Sequence, residues 1–124
     1  DFVVDAIDQT NVKILLAEYC LNHKIPLIIN GAAGGKINPE LIKVEVLGKA
    51  FGDPLLSKIR KYFNKKNKKD LEIPTVFSSQ DAIKPKKIES NEPITGLNCA
   101  GYGSSANVTA SFAFLTASYI LSKL

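Results

Sequence analysis

The residues with the clearest chemical potential lie at the start of the chain. Phe2, Val3, Val4, Asp5, Ala6, Ile7 and Asp8 form a short apolar, β-branched run that ends in carboxylates. Such a run, followed by a helical pattern, predicts a strand buried on both faces of a parallel sheet. In open α/β sheets, ligands sit just beyond the carboxyl ends of the strands, and Asp8 falls at such an end. A carboxylate there is placed to hold a magnesium ion on a nucleotide phosphate. The alternative is that Asp8 or Thr10 caps the following helix, and on these residues alone capping is the simpler reading.

Other chemistry is sparse. His23 is the single histidine and there are two cysteines, Cys20 and Cys99. That count excludes His/Cys metal clusters and a disulfide framework, and no G-x-S-x-G elbow is present. Cys20 falls on an apolar helical stripe, as an inert core thiol does. Cys99 falls in a loop beside glycines. Gly31, Ala32, Ala33, Gly34, Gly35 and Lys36 invite comparison with a phosphate loop. The Walker spacing fails, because position 30 is Asn and position 37 is Ile. A tight turn needing positive φ fits better. Gly101, Gly103 and Ala106 match G-x-G-x-x-A, but without a proper strand before them or an acidic residue about 20 positions on. They predict a closely packed helix start.

The elements that must position these residues follow in order. Residues 10–22 predict a helix, with Val12, Leu15, Leu16, Tyr19 and Cys20 as its apolar stripe. Asn22, His23 and Lys24 close it and Pro26 prevents continuation. Leu27, Ile28, Ile29 and Asn30 predict a second strand, completing a right-handed βαβ unit with the ends at Asp8 and Asn30 side by side. Residues 41–47 predict a third strand. Asp53 and Pro54 mark a helix start, with Leu55, Leu56, Ile59, Tyr62 and Phe63 on its inner face. A strand over 73–78, a polar loop over 80–96 and a helix over about 104–121 complete the chain. The last helix is apolar on most sides through Val108, Phe112, Leu115, Tyr119, Ile120 and several alanines. It predicts a buried core or dimer helix, with membrane contact a minor alternative.

The chain has 124 residues, 45% hydrophobic and 23% charged, enough for one modest globular domain. The absence of Met, and a core strand beginning at once, suggest one part of a longer chain, with the cytoplasm as its default location. The net charge of +4 is mild, but its distribution is uneven. Lys58, Arg60, Lys61, Lys65, Lys66, Lys68 and Lys69 crowd one segment. Such a run is a solvated face in most proteins and a phosphate-contacting surface in some.

Several stretches, taken in order, resemble one family. Val3, Val4, Asp5, Ala6, Ile7 and Asp8 with Lys13, then Tyr19, Cys20 and residues 22–27, resemble the middle of the tRNA threonylcarbamoyladenosine dehydratases. Residues 31–39, residues 53–60, residues 76–79 and residues 98–103 continue the resemblance over nearly the whole chain. These enzymes belong to the superfamily of ubiquitin-activating and sulfur-carrier-adenylating enzymes. The resemblance implies an α/β fold: residues 1–124 would form the carboxyl-terminal half of a Rossmann-like ubiquitin-activating-type domain, a mixed sheet with flanking helices. It implies ATP-dependent cyclisation, with loss of water, of threonylcarbamoyladenosine in tRNA, after adenylation of the carboxylate. It also implies a homodimer and tRNA as partner, with ATP and magnesium (Mg) as cofactors. In the superfamily the second Asp of D-x-x-D holds the magnesium of ATP, which makes Asp8 the catalytic and metal-binding residue. Asp5 and Lys13 join it as cofactor-binding residues. The seven cations of residues 58–69 become candidate tRNA contacts.

The chain departs from the superfamily at three points. The glycine-rich phosphate loop and triphosphate-binding Arg and Lys of the amino-terminal half are not in this sequence. Thr75 stands where some relatives have Cys, and Asn11 where some have Arg. Two other functions remain open: adenylation of a sulfur-carrier or ubiquitin-like protein, with a sulfur-transfer protein as partner, and a non-catalytic interaction fragment. Relatives of the adenylating kind carry paired C-x-x-C motifs, and this sequence has none.

Overall fold

Proline and carboxylate signals divide the chain into short elements whose apolar faces need opposite sides of one sheet. The computed structural model describes residues 1–66, 72–84 and 102–124. The elements are β1 (Val3–Asp5), α1 (Thr10–Asn22), β2 (Leu27–Asn30), β3 (Ile42–Val46), α2 (Pro54–Lys65), β4 (Pro74–Ser78) and α3 (Ala106–Leu121). Single 3-10 turns at Pro39–Leu41 and Leu47–Lys49 flank β3. The sheet order is β1-β2-β4-β3. β1, β2 and β4 run parallel, with Asp5 opposite Ile29 and Asn30 opposite Val76, and β3 returns antiparallel along β4. The fold is thus α/β with a mixed four-stranded sheet and flanking helices.

Alternation along β2 and β4 divides the core. Ile29 and Phe77 face α1 and α2, packing with Ala17, Cys20, Leu56, Ile59 and Phe63. Ile28 and Val76 face α3, packing with Val108 and Phe112. Burying each large side chain of this kind contributes about 1.5–3 kcal/mol. Asp53 caps α2 through Oδ1, which accepts from Leu55 N (2.9 Å) and Leu56 N (3.0 Å), and Pro54 fills the first helical position.

Four expectations change. β1 stops at Asp5, three residues short of Asp8, because Ile7 N donates to Asp5 Oδ1 (3.0 Å) and turns the chain out of the sheet. β1 is also an edge strand, and Val4 is 47% exposed rather than buried. α1 presents Lys13, Ala17 and Cys20 to the core, while Val12, Leu15 and Tyr19 are exposed. The helix is rotated from the expected stripe because Lys13 has a buried partner. α3 buries only Val108, Phe112 and Thr116; Ala110, Ala113, Ala117 and, at 75%, Phe114 are exposed. No helix among the described residues is long and apolar enough to cross a membrane.

Candidate functional site

Because β1, β2 and β4 are parallel neighbours, their carboxyl ends open on one edge, where ligands sit in sheets of this kind. Three loops follow in spatial order: residues 6–9 with Asp8, the glycine turn of residues 31–38, and residues 79–84.

The first loop rests on a buried ion pair. Lys13 Nζ lies 3.0 Å from Asp5 Oδ1 and donates to Asn30 O at 2.7 Å, so one ammonium ties α1 to the ends of β1 and β2. Both side chains are fully buried. Burial pushes the Lys13 ammonium below its usual pKa, opposed by Asp5 and more weakly by Asp53 and Asp8. Asp5 Oδ2 is buried and has no hydrogen-bond partner among the described residues. Asn30 Nδ2 reaches Asp5 O at 3.5 Å, and Asn30 Oδ1 accepts from Thr116 Oγ1 of α3 at 2.9 Å. It is therefore Asp5, not Asp8, that lies beside the end of β2.

Asp5 and Lys13 were expected to bind cofactor. Both are enclosed, and through the Ile7 N bond to Asp5 Oδ1 they hold the loop that carries Asp8. Asp8 itself is exposed. It does not cap α1, since the N-cap is Gln9, which makes no side-chain capping bond. Magnesium takes one or two carboxylates and completes its shell with phosphate oxygens and water. An exposed aspartate with no capping role fits that requirement. No group of three or more His, Cys, Asp or Glu that could hold a metal exists among the described residues.

The glycine turn rests on Asp53. Asp53 Oδ2 accepts from Ala32 N at 2.7 Å, and a Cβ on Gly31 would lie 2.2 Å from that oxygen. Gly35 adopts φ 71°, the positive φ that the sequence predicts here. Lys36 is buried and donates from Nζ to Ser78 O, at the end of β4, at 2.9 Å. Burial lowers its pKa too, opposed by Asp53 and Asp81. Asn30, Lys36, Asp53 and Thr116 are the site residues that sequence reasoning missed in this role. Asp53 had been recognised only as a helix cap. Lys36 carried no local signal, since its partner is 42 residues away.

The basic segment is brought together only in part. Lys58, Lys61 and Lys65 are exposed on α2. Arg60 is structural: Nη1 donates to Leu47 O (3.3 Å) and Ala50 O. Lys66 pairs with Glu18 of α1 at 2.6 Å and lies over the Tyr62 ring. That hydrogen bond raises its pKa. Phe63 is fully buried, as expected, and Tyr62 is half-buried, packing against the same core while its hydroxyl donates to Glu18 Oε1. Lys68, Lys69 and Cys99 lie outside the described residues.

A largely parallel sheet with polar groups gathered beyond β1, β2 and β4 defines an open α/β domain whose loops meet at the strand ends. No protein-family model matches the sequence. The chain is 37% identical over 131 residues to tRNA threonylcarbamoyladenosine dehydratase of Haemophilus influenzae, covering 100% of this chain and 50% of that protein. It is 36% identical over 138 residues to the Escherichia coli enzyme of the same name, covering 99% and 51%. The crystal structure of the E. coli dehydratase in complex with ATP superposes with a TM-score of 0.80 at 34% identity, covering 98% of this chain and 46% of that chain. The chain belongs to the tRNA threonylcarbamoyladenosine dehydratase family, and it spans about half the length of the curated relatives it matches.

Proposed function

We propose that residues 1–124 are the carboxyl-terminal part of one adenylating domain in an ATP-dependent tRNA threonylcarbamoyladenosine dehydratase. The observation that carries this reading is the fold match, over 98% of the chain, to a dehydratase in complex with ATP. The substrate carboxylate attacks the α-phosphorus of ATP and pyrophosphate leaves. A nucleophilic atom of the carbamoyl group then attacks the activated carbonyl, AMP departs, and a proton is lost, so the net change is removal of one water. Asp8 would hold magnesium, which neutralises phosphate charge when bound. Asp5 and Lys13 keep its loop in place.

The exposed cations Lys58, Lys61 and Lys65 would contact tRNA phosphates, and the exposed small-residue face of α3 would join two copies in a homodimer acting in the cytoplasm. The test is mass spectrometry of nucleosides from tRNA treated with ATP and the protein that carries this chain. Loss of one water from threonylcarbamoyladenosine supports the reading. An unchanged nucleoside under conditions where the E. coli enzyme converts it contradicts the reading.

A further inference from the structure

Lys36 is a second fully enclosed ammonium at the strand ends, and the proposed reaction gives it no task. A buried charge is costly unless it is paired, and a Leu or Met would fill the same space without that cost. What the ammonium adds is its bond to Ser78 O, the last carbonyl of β4. Lys13 does the same to Asn30 O, the last carbonyl of the neighbouring strand β2.

The bond to Ser78 fixes where residues 79–84 leave the sheet. That loop is fastened to the glycine turn at further points. Ile37 N and Asn38 N both donate to Gln80 Oε1, at 3.0 and 2.9 Å, and Ile83 N donates to Gly35 O at 2.7 Å. The segment before α3 joins the same turn through Gly35 N to Gly103 O at 2.8 Å, and the first turn of α3 joins it through Asn107 Nδ2 to Ile37 O at 3.1 Å. The side-chain bonds among these contacts are exposed or half-buried, whereas the Lys36 bond is buried. It is the contact least open to competition from water.

In the function proposed above Asp8 holds magnesium-ATP, which puts the nucleotide phosphates beside the loop after β1. In-line attack places the incoming carboxylate on the side of the α-phosphorus away from the departing pyrophosphate. The loops after β2 and β4 are the neighbouring wall. We propose that Lys36 is a positioning residue that, by holding Ser78 O and the loop of residues 79–84 against the glycine turn, aligns the carboxylate-bearing arm of the tRNA substrate with ATP. The proposal rests on the function proposed above.

The experiment uses Lys36→Met and Lys36→Arg in the protein that carries this chain. Amide hydrogen exchange, the ATP dissociation constant and the kcat for dehydration are read together. In Lys36→Met, the amides of Ile37, Asn38 and Ile83 should exchange faster while those of β2 and β4 keep their protection. kcat should fall about tenfold or more, since small misplacements of reacting groups are costly in rate, with ATP affinity within about twofold. Lys36→Arg should restore part of kcat. Wild-type kcat in Lys36→Met, or unchanged exchange at Ile83, overturns the proposal. So does unfolding of both variants with activity that merely follows the folded fraction. An inactive wild type contradicts the proposed function instead, and the exchange data then decide the loop claim alone.

Discussion

Lys13 Nζ sits 3.0 Å from Asp5 Oδ1 with both side chains fully shielded from water, at the point where β1, α1 and β2 meet. Removing one partner of such a pair strands the other charge. Lys13→Met should therefore destabilise the protein by about 3–5 kcal/mol. The double variant Asp5→Leu with Lys13→Met should recover part of that loss, because no charge is then left buried. Urea unfolding of the two variants checks this; a double variant no more stable than Lys13→Met contradicts it.

Gly31 is required by Asp53 rather than by its own backbone angle. A Cβ there would lie 2.2 Å from Asp53 Oδ2 and force the carboxylate off Ala32 N. Gly31→Ala should cost about 1–3 kcal/mol, and Asp53→Ala about 1 kcal/mol as a lost cap alone. Because the first loss acts through the second residue, the two should not add. Thermal or urea unfolding of the cycle measures the coupling, and strict additivity would refute the link.

Alkaline stability reports on the buried lysines. Burial lowers the pKa of Lys36 from 10.5. Between its lowered folded value and 10.5, the unfolded chain binds more protons than the folded one, so this group makes stability rise with pH in that window. Lys36→Met should show a smaller rise across the same range. Urea midpoints measured for both proteins from neutral pH to pH 10.5 test the sign, and equal slopes would contradict it.

The cations of α2 divide into two groups with different readouts. Replacing Lys58, Lys61 and Lys65 by Ser should weaken all tRNAs about equally and reduce the salt slope by roughly 1 for each lost phosphate contact. Arg60→Ser should instead lower stability, since its guanidinium holds the Leu47 and Ala50 carbonyls. Filter binding against salt, together with unfolding, distinguishes them. A wild-type salt slope in the triple variant would leave these residues as a solvated face.

Local signals explain what the sequence disclosed. α1 over residues 10–22, β2 over residues 27–30 and the cap of α2 all fall where expected, because Pro26 and the Asp53-Pro54 pair act on their own neighbours. The inward face of α1 was legible only in part. Cys20 and Leu16 of the expected stripe pack on the core, but Val12, Leu15 and Tyr19 are exposed, and Asp5, across the fold, draws Lys13 inward in their place. Lys36 follows the same rule: a lysine after a glycine turn reads as surface until Ser78, from a distant strand, supplies its acceptor. The position of Asp8 beyond a strand was legible, while the groups that hold its loop depend on contacts between elements.

Asp8 is proposed as the carboxylate that holds magnesium-ATP. Asn would cap a helix about as well as Asp but supplies no charge to the metal. In the protein that carries this chain, Asp8→Asn should lower ATP–pyrophosphate exchange on threonylcarbamoyladenosine tRNA by at least about hundredfold, a loss of several kcal/mol of charge stabilisation. The unfolding midpoint should stay unchanged, since Asp8 is exposed and makes no cap. Exchange at the wild-type rate in Asp8→Asn would contradict the account.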